Sequence, residues 1–236
     1  MPLPKIDVPL FEIEQPSTGK KLTCRPFLVK EEKILLMAQQ SDDDKERILA
    51  IKQILTNCVQ DKNFDPDKLT TFDIDYMFIR LRARSIDNMV TLIYRDFEDD
   101  KEYKFDVNLD DIKIEKSGDH TNKIEINKSL GIMMRYPTVT ALNEVSVDST
   151  PEEIAEVLML NCIDKVYDDD NVYNVDDEPR EEIETFINSL NIETYNKIRS
   201  FFETMPKMSY VIEYKNSLGS DRRIELSTLK DFFMWG

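Results

Sequence analysis

Phe11–Met37, FEIEQPSTGKKLTCRPFLVKEEKILLM, is the stretch whose reading decides the fold. Phe11 and Ile13 alternate with Glu12 and Glu14, the period of a half-buried strand. Pro16-Ser17-Thr18-Gly19 is a turn cluster. Leu22 and Cys24 resume the alternation, and Arg25-Pro26 marks an edge or bulge because proline cannot donate to a ladder. Lys30-Glu31-Glu32-Lys33 then opens a helix with Ile34, Leu35, Met37 and Ala38 on one side. Two strands around a turn thus lead straight into a helix, and no reaction chemistry is visible among them.

Upstream, Pro2, Pro4 and Pro9 make residues 1–9 an extended arm, since each proline disfavours helix at the residue before it. Such an arm either packs on its own domain or reaches a partner. Downstream, the first helix is expected to end near Ser41, and Asp42-Asp43-Asp44 makes a break that favours a new helix start. Ile48, Ile51, Leu55 and Cys58 fall at helical spacing between Lys45 and Val59. A further helix is expected to start at Asp65-Pro66-Asp67, with Leu69, Phe72, Tyr76, Ile79 and Ala83 as its stripe. Its end carries Arg80, Arg82 and Arg84, where cations oppose the helix dipole favourably. A phosphate site is the sharper reading of that trio; helix-end charge and local ion pairs are the simpler one.

From residue 88 to 136 the period changes to two. Val90, Leu92 and Tyr94 alternate, as do Tyr103, Phe105 and Val107 after the turn at Glu98-Asp99-Asp100-Lys101. Ile112 and Ile114, then Ile124 and Ile126, continue the pattern of an antiparallel meander. Helices return at Ser149. Thr150 with Glu153 forms a capping box, and Pro151 suits the first helical position. Asp168–Glu178 reads as an acidic loop, followed by a helix over about 179–189 and another capped by Asn191. Tyr210, Ile212 and Tyr214 then pair through a turn at 216–220 with Ile224 and Leu226, and Ser227 is expected to cap a last short helix.

The fold class that follows is α+β: an N-terminal β-hairpin and helices, a central antiparallel β meander, and C-terminal helices with a terminal β-hairpin. A single body over residues 1–236 is expected, subdivided at 1–87, 88–148 and 149–236.

A hydrophobic fraction of 41% supplies a core, so global disorder is not expected. The net charge of −16 repels a phosphate backbone and an anionic membrane surface, so neither nucleic acid nor membrane is an expected partner. Solubility is the plain reading of this charge; acidic faces that meet a basic partner are the sharper one. Cys24, Cys58 and Cys162 are odd in number and far apart, the pattern of buried thiols in a reducing compartment and not of a disulfide framework. Met1–Lys5 lacks an apolar run, so no signal peptide is expected.

No motif assigns a catalytic residue, cofactor or metal. Counting an EF-hand from Asp168 puts Tyr173 at the sixth position and Pro179 at the twelfth, where glycine and glutamate are needed; counting from Asp169 fails likewise. Gly19-Lys20 lacks the other parts of a phosphate loop. His120, the only histidine, lies in a Gly-Asp turn and is expected to be exposed. The tail deviates from the usual polar end: Phe232, Phe233, Met234 and Trp235 follow one another. They read either as a docked helix closing the core or as an aromatic patch for a partner. With Pro4 and Pro9 of the arm, they are the candidate partner-binding residues.

Arg25-Pro26-Phe27, followed by Val29–Lys33 and Leu35–Ala38, resembles the baseplate hub assembly family of T4-like bacteriophages, and the ending, a hairpin followed by Leu229–Phe233, fits it too. Some relatives carry cysteines in the terminal hairpin; this chain has none after Cys162, so metal binding is not carried over. The resemblance implies a non-enzymatic phage tail assembly factor of the infected cell's cytoplasm, binding hub and tape-measure proteins. A hub subunit retained in the virion is the alternative. A metal-dependent hydrolase built on His120 and an acidic mimic of nucleic acid are alternatives of other classes.

Overall fold

The computed structural model describes residues 7–41, 43–142 and 150–233. Contacts divide the chain into two compact units, Met1–Glu115 together with Lys207–Gly236, and Lys116–Pro206.

The first unit begins with the antiparallel hairpin β1 (Phe11–Glu14) and β2 (Lys21–Cys24), then α1 (Val29–Gln39), α2 (Asp44–Cys58) and α3 (Thr71–Ser85). Helix α3 is the axis: Met77, Phe78, Ile79 and Leu81 are all fully buried, so it is covered on every side. Its start lies later than the sequence suggests. Pro66–Lys68 forms a separate 3-10 turn capped by Asp65, and Thr70 caps α3 through a reciprocal box with Asp73. Asp73, itself fully buried, also accepts the Ser17 amide (2.8 Å) and hydroxyl (2.6 Å), which fixes the β1–β2 turn onto the helix start.

The chain passes from β2 to α1 over a second buried carboxylate. Glu31 has no exposed side-chain surface and accepts both Arg25 guanidinium nitrogens, at 3.1 and 2.9 Å, while capping its own helix through the Leu28 amide at 3.0 Å. Phe27 is thereby set against Phe78, 6.1 Å between ring centroids. Next come β3 (Met89–Arg95), β4 (Glu102–Asn108) and β5 (Lys113–Glu115). Strands β3 and β4 pair with each other.

The second unit holds a four-stranded antiparallel sheet. It contains β6 (Lys123–Glu125), β7 (Gly131–Met134), α4 (Val139–Leu142), α5 (Pro151–Cys162), β8 (Ile163–Tyr167), β9 (Val172–Asn174), α6 (Arg180–Asn188) and α7 (Ile192–Thr204). The sheet order is β6-β7-β8-β9, and Ile132, Cys162, Ile163 and Ile198 are fully buried at its core. Thr150 and Asn191 cap α5 and α7 as their sequences predict. The expected acidic loop is instead a tight hairpin, in which Asp168 accepts the amides of Asp170 and Asn171 and β9 follows. Gly131 faces Tyr167 across β7–β8, and a Cβ at Gly131 would overlap the Tyr167 ring.

The chain then returns to the first unit with β10 (Lys207–Lys215), β11 (Asp221–Leu226) and α8 (Leu229–Phe232). Strand β10 pairs with β11 on one side and with β5 on the other. The architecture is α+β as read from the sequence, with the strands of the central run distributed among three sheets. The cause is long-range pairing, since β5 finds its partner in β10, about ninety residues on, which no local periodicity encodes. The last helix is capped by Thr228, not Ser227; Asp231 accepts the Thr228 amide at 2.7 Å. No helix among the described residues is long and apolar enough to cross a membrane.

Replacing Glu31→Gln leaves a nearly buried guanidinium without its counter-charge and is expected to cost about 3 kcal/mol in urea unfolding. Burial pushes the Glu31 carboxyl up, but Arg25, with the Leu28 amide, outweighs it and holds the pKa below the ordinary value of 4.5. The wild-type stability from this pair is complete above that value and is lost as pH falls through the lower folded one. Denaturation curves between pH 3 and 6 are expected to show that loss in the wild type and a flatter profile in Glu31→Gln.

Gly131→Ala is expected to destabilise by about 1–3 kcal/mol through overpacking. In a double-mutant cycle with Tyr167→Ala the combined cost should fall short of the sum, because the clash needs both side chains.

Candidate functional site

Strands β3 and β4 end in a turn of acids, Asp96–Lys101, closed by the Asp96 amide on the Lys101 carbonyl (2.9 Å). Asp96 also accepts the Glu98 amide at 2.8 Å, and Asp100 takes the left-handed conformation (φ 58°) that aspartate tolerates. Arg95 holds Asp100 in a two-pronged pair at 2.7 and 2.8 Å. Strands β10 and β11 end in a second turn, where the Asn216 side chain accepts the amides of Leu218 (3.1 Å) and Ser220 (2.9 Å). Gly219, at φ 86°, occupies a position that disfavours a side chain.

The two turns are latched together. Asp96 is fully buried and accepts the Tyr214 hydroxyl at 2.5 Å and Arg222 Nε at 3.0 Å. Glu98 accepts Asn216 Nδ2 at 2.6 Å and the Ser220 hydroxyl at 3.1 Å. Asp99 accepts the Ser217 hydroxyl (2.8 Å), its amide (3.0 Å) and the Tyr103 hydroxyl (2.5 Å). Below the latch, the Tyr214 ring lies 4.9 Å from Tyr103 and 5.0 Å from Phe105. The Tyr214 hydroxyl above all, with the Glu98 amide and Arg222, holds Asp96 below the usual carboxylate range against the effect of burial. Burial and the Asp96 carboxylate push the Tyr214 phenol up to about 12. Asp99 is shifted down despite its desolvation, by Tyr103 and by the amide and hydroxyl of Ser217. The latch is therefore charged and closed at neutral pH and weakens as pH falls through these depressed values.

Among its exposed charged groups the latch also leaves two apolar side chains in the open. Phe97, between Asp96 and Glu98, is 87% exposed and touches Tyr94 only edge-on at 6.3 Å. Leu218, on the neighbouring turn, is 65% exposed. One exposed apolar side chain is ordinary; here two stand on turns whose backbones are joined by the hydrogen bonds of Glu98 and Asp99.

The residues singled out from sequence fall elsewhere. Phe232 is 2% exposed, so it belongs to the core and is corrected as a partner contact: α8 docks it inward. Phe233 is half-buried, edge-on to Phe78 at 6.0 Å and under the Arg82 guanidinium at 4.6 Å. Pro9 is exposed just before β1. Pro4, Met234 and Trp235 lie outside the described residues. The arginine trio is not a shared site: Arg80 pairs with Asp110 at 3.0 Å, and Arg82 is turned onto Phe233.

His120 is also corrected. It is half-buried, stacked near Tyr136 and Phe201, with its ring nitrogens at 2.9 Å from Thr204 Oγ1 and 3.1 Å from Tyr136 Oη. Burial, then Lys116, lowers its pKa. Burial pushes the thiols of Cys24 up to about 11 and of Cys58 and Cys162 up to about 12, which makes them poor nucleophiles. Among the described residues, no three His, Cys, Asp or Glu side chains gather as a metal site would require.

The model of the T4 bacteriophage base plate protein family matches residues 8–234. The chain belongs to that family. No curated protein and no solved structure matches it at a significant level. In this baseplate protein the turn expected at Glu98–Lys101 begins two residues earlier, at Asp96, and so takes in Phe97. The signal was present, since an aromatic residue stood inside a run of acids where a solvated turn gains nothing from one.

Phe97→Ala is expected to leave urea stability unchanged to within about 0.5 kcal/mol while weakening capture of baseplate partners at least about tenfold. Tyr214→Phe removes the hydroxyl from Asp96 and is expected to speed hydrogen exchange at the Glu98 and Asp100 amides, with Phe97 itself intact.

Proposed function

We propose that this baseplate protein is a non-enzymatic assembly factor that binds hub or tape-measure proteins and promotes assembly of the baseplate's central hub. The observation that carries the proposal is the exposed Phe97, held by the latch in a chain of the baseplate family. An apolar contact on a rigid turn, in a chain of net charge −16, suits a protein that must stay soluble while engaging an apolar partner surface. The work would take place in the cytoplasm of the infected cell. A hub subunit retained in the virion is the second reading, and the same tip would serve it. The hydrolase reading gains no support from His120, whose ring nitrogens face Thr204 and Tyr136 and no carboxylate.

Affinity capture of the tagged protein from infected cells, followed by mass spectrometry, tests the proposal. Hub or tape-measure proteins are expected, and are expected to be lost with Phe97→Ala. Recovery of host proteins alone would overturn it. Purified virions then separate the readings: an assembly factor is expected to be missing from them, and a retained subunit to be present in fixed proportion to the tail proteins.

A further inference from the structure

The four-stranded sheet ends on β9, and this edge has a groove beside it. The Asp168 amide donates to the Asn171 carbonyl at 3.0 Å, and the register pairs Tyr167 with Val172, Val166 with Tyr173 and Lys165 with Asn174. In an antiparallel ladder, hydrogen-bonded and non-hydrogen-bonded pairs alternate. Asp168–Asn171 and Val166–Tyr173 are therefore the bonded pairs, and Val172 and Asn174 turn their amides away from β8. All three residues of β9 are exposed, and the described residues provide no further strand on that side.

Tyr173 and its cross-strand neighbour Val166 share one face of the sheet, over which α6 lies. Between them and α6 is a groove of about 320 Å³ with a floor of Val166, Val175, Ile183 and Phe186. Its rim is Glu178 and Glu182. The Asp168-Asp169-Asp170 turn adds acids at the end of the same hairpin. An unpaired edge supplies main-chain hydrogen bonds, and a pocket beside it selects alternate side chains of whatever strand is added. A residue of an added strand that stands opposite Tyr173 projects to the groove's side of the sheet. The apolar floor calls for a large aliphatic or aromatic residue there, and the acidic rim calls for lysine or arginine two residues away, on the same face of the added strand.

We propose that β9 and its groove form a second interaction site, which takes an extended segment of a partner protein by strand addition, with an apolar side chain in the groove and basic residues against Glu178 and Glu182. This site lies in the second unit and does not depend on Phe97 or on the proposed assembly role.

A synthetic strand peptide with a central Phe, Lys two residues to either side of it and Thr at the intervening positions is the probe, compared with the same peptide N-methylated along its pairing edge. On addition of the unmethylated peptide, hydrogen exchange at the Val172 and Asn174 amides is expected to slow at least about tenfold, and the N-methylated peptide is expected to do nothing. Glu178→Gln with Glu182→Gln, both exposed, is expected to weaken binding at least about tenfold at low salt, while the unfolding midpoint moves by no more than the loss of one first-turn acid from α6 explains. Equal affinity for both peptides would overturn strand addition, as would binding that leaves the two amides unprotected, or no binding. Protection that rises with protein concentration in the absence of peptide would overturn the partner assignment in favour of a second copy of this chain.

Discussion

The first unit hangs on a carboxylate that water cannot reach. Glu31 is fully buried, and burying an isolated carboxylate costs far more than any single contact returns. It is tolerated because Arg25 meets it with both nitrogens while the Leu28 amide takes another of its lone pairs. A pair of this kind adds little net stability over an apolar substitute, but removing one partner is severe. Its value is geometric. With the Arg25 amide on the Cys58 carbonyl at 3.0 Å, the pair fixes the crossing from β2 to α1 against the end of α2 and delivers Phe27 to α3.

The same device recurs at Asp73 and Asp96. Each is a fully buried carboxylate that joins segments distant in sequence: the β1–β2 turn to α3, and the β3–β4 turn to β10–β11. The acidity of this chain therefore has two parts. Most carboxylates are exposed and give net charge; a few are internal cross-links whose partners are hydroxyls, amides and arginines. Charge counted over the whole sequence describes the first part and is blind to the second.

This explains what was legible. Helices α2, α5, α6 and α7 and the two terminal hairpins announce themselves through local periodicity and local caps, and the Thr150–Glu153 box and Asn191 stand as read. The start of α3 was misplaced because Asp65-Pro66-Asp67 is as good a local start signal as Thr70-Thr71-Phe72-Asp73, and packing chose the second. The pairing of β5 with β10, the burial of His120 against Tyr136 and Phe201, and the meeting of the 96–101 and 216–220 turns all require residues far apart in the chain to come together. In a sequence with 47 acidic side chains, nothing local distinguishes Asp96, Asp73 or Glu31 from the rest. The exposure of Phe97 was illegible for a related reason: hydrophobic pattern is read for what it buries, and this side chain stays outside.

The latched tip and the β9 edge would engage partners by different physics. At the tip, Asp96, Glu98 and Asp99 already hold hydroxyls, amides or an arginine within the fold, while Asp100 is matched by Arg95 as an exposed pair of no net charge. The uncharged surface it offers is that of Phe97 and Leu218, whose burial depends little on ionic strength. At β9 the rim carboxylates are placed beside an unfilled edge, and their attraction for a basic segment fades within a Debye length of about 8 Å at physiological salt. A contact through the tip is governed by shape and apolar area, and one through the edge by charge and main-chain pairing. Salt dependence therefore separates the two surfaces in the intact protein, before any residue is changed.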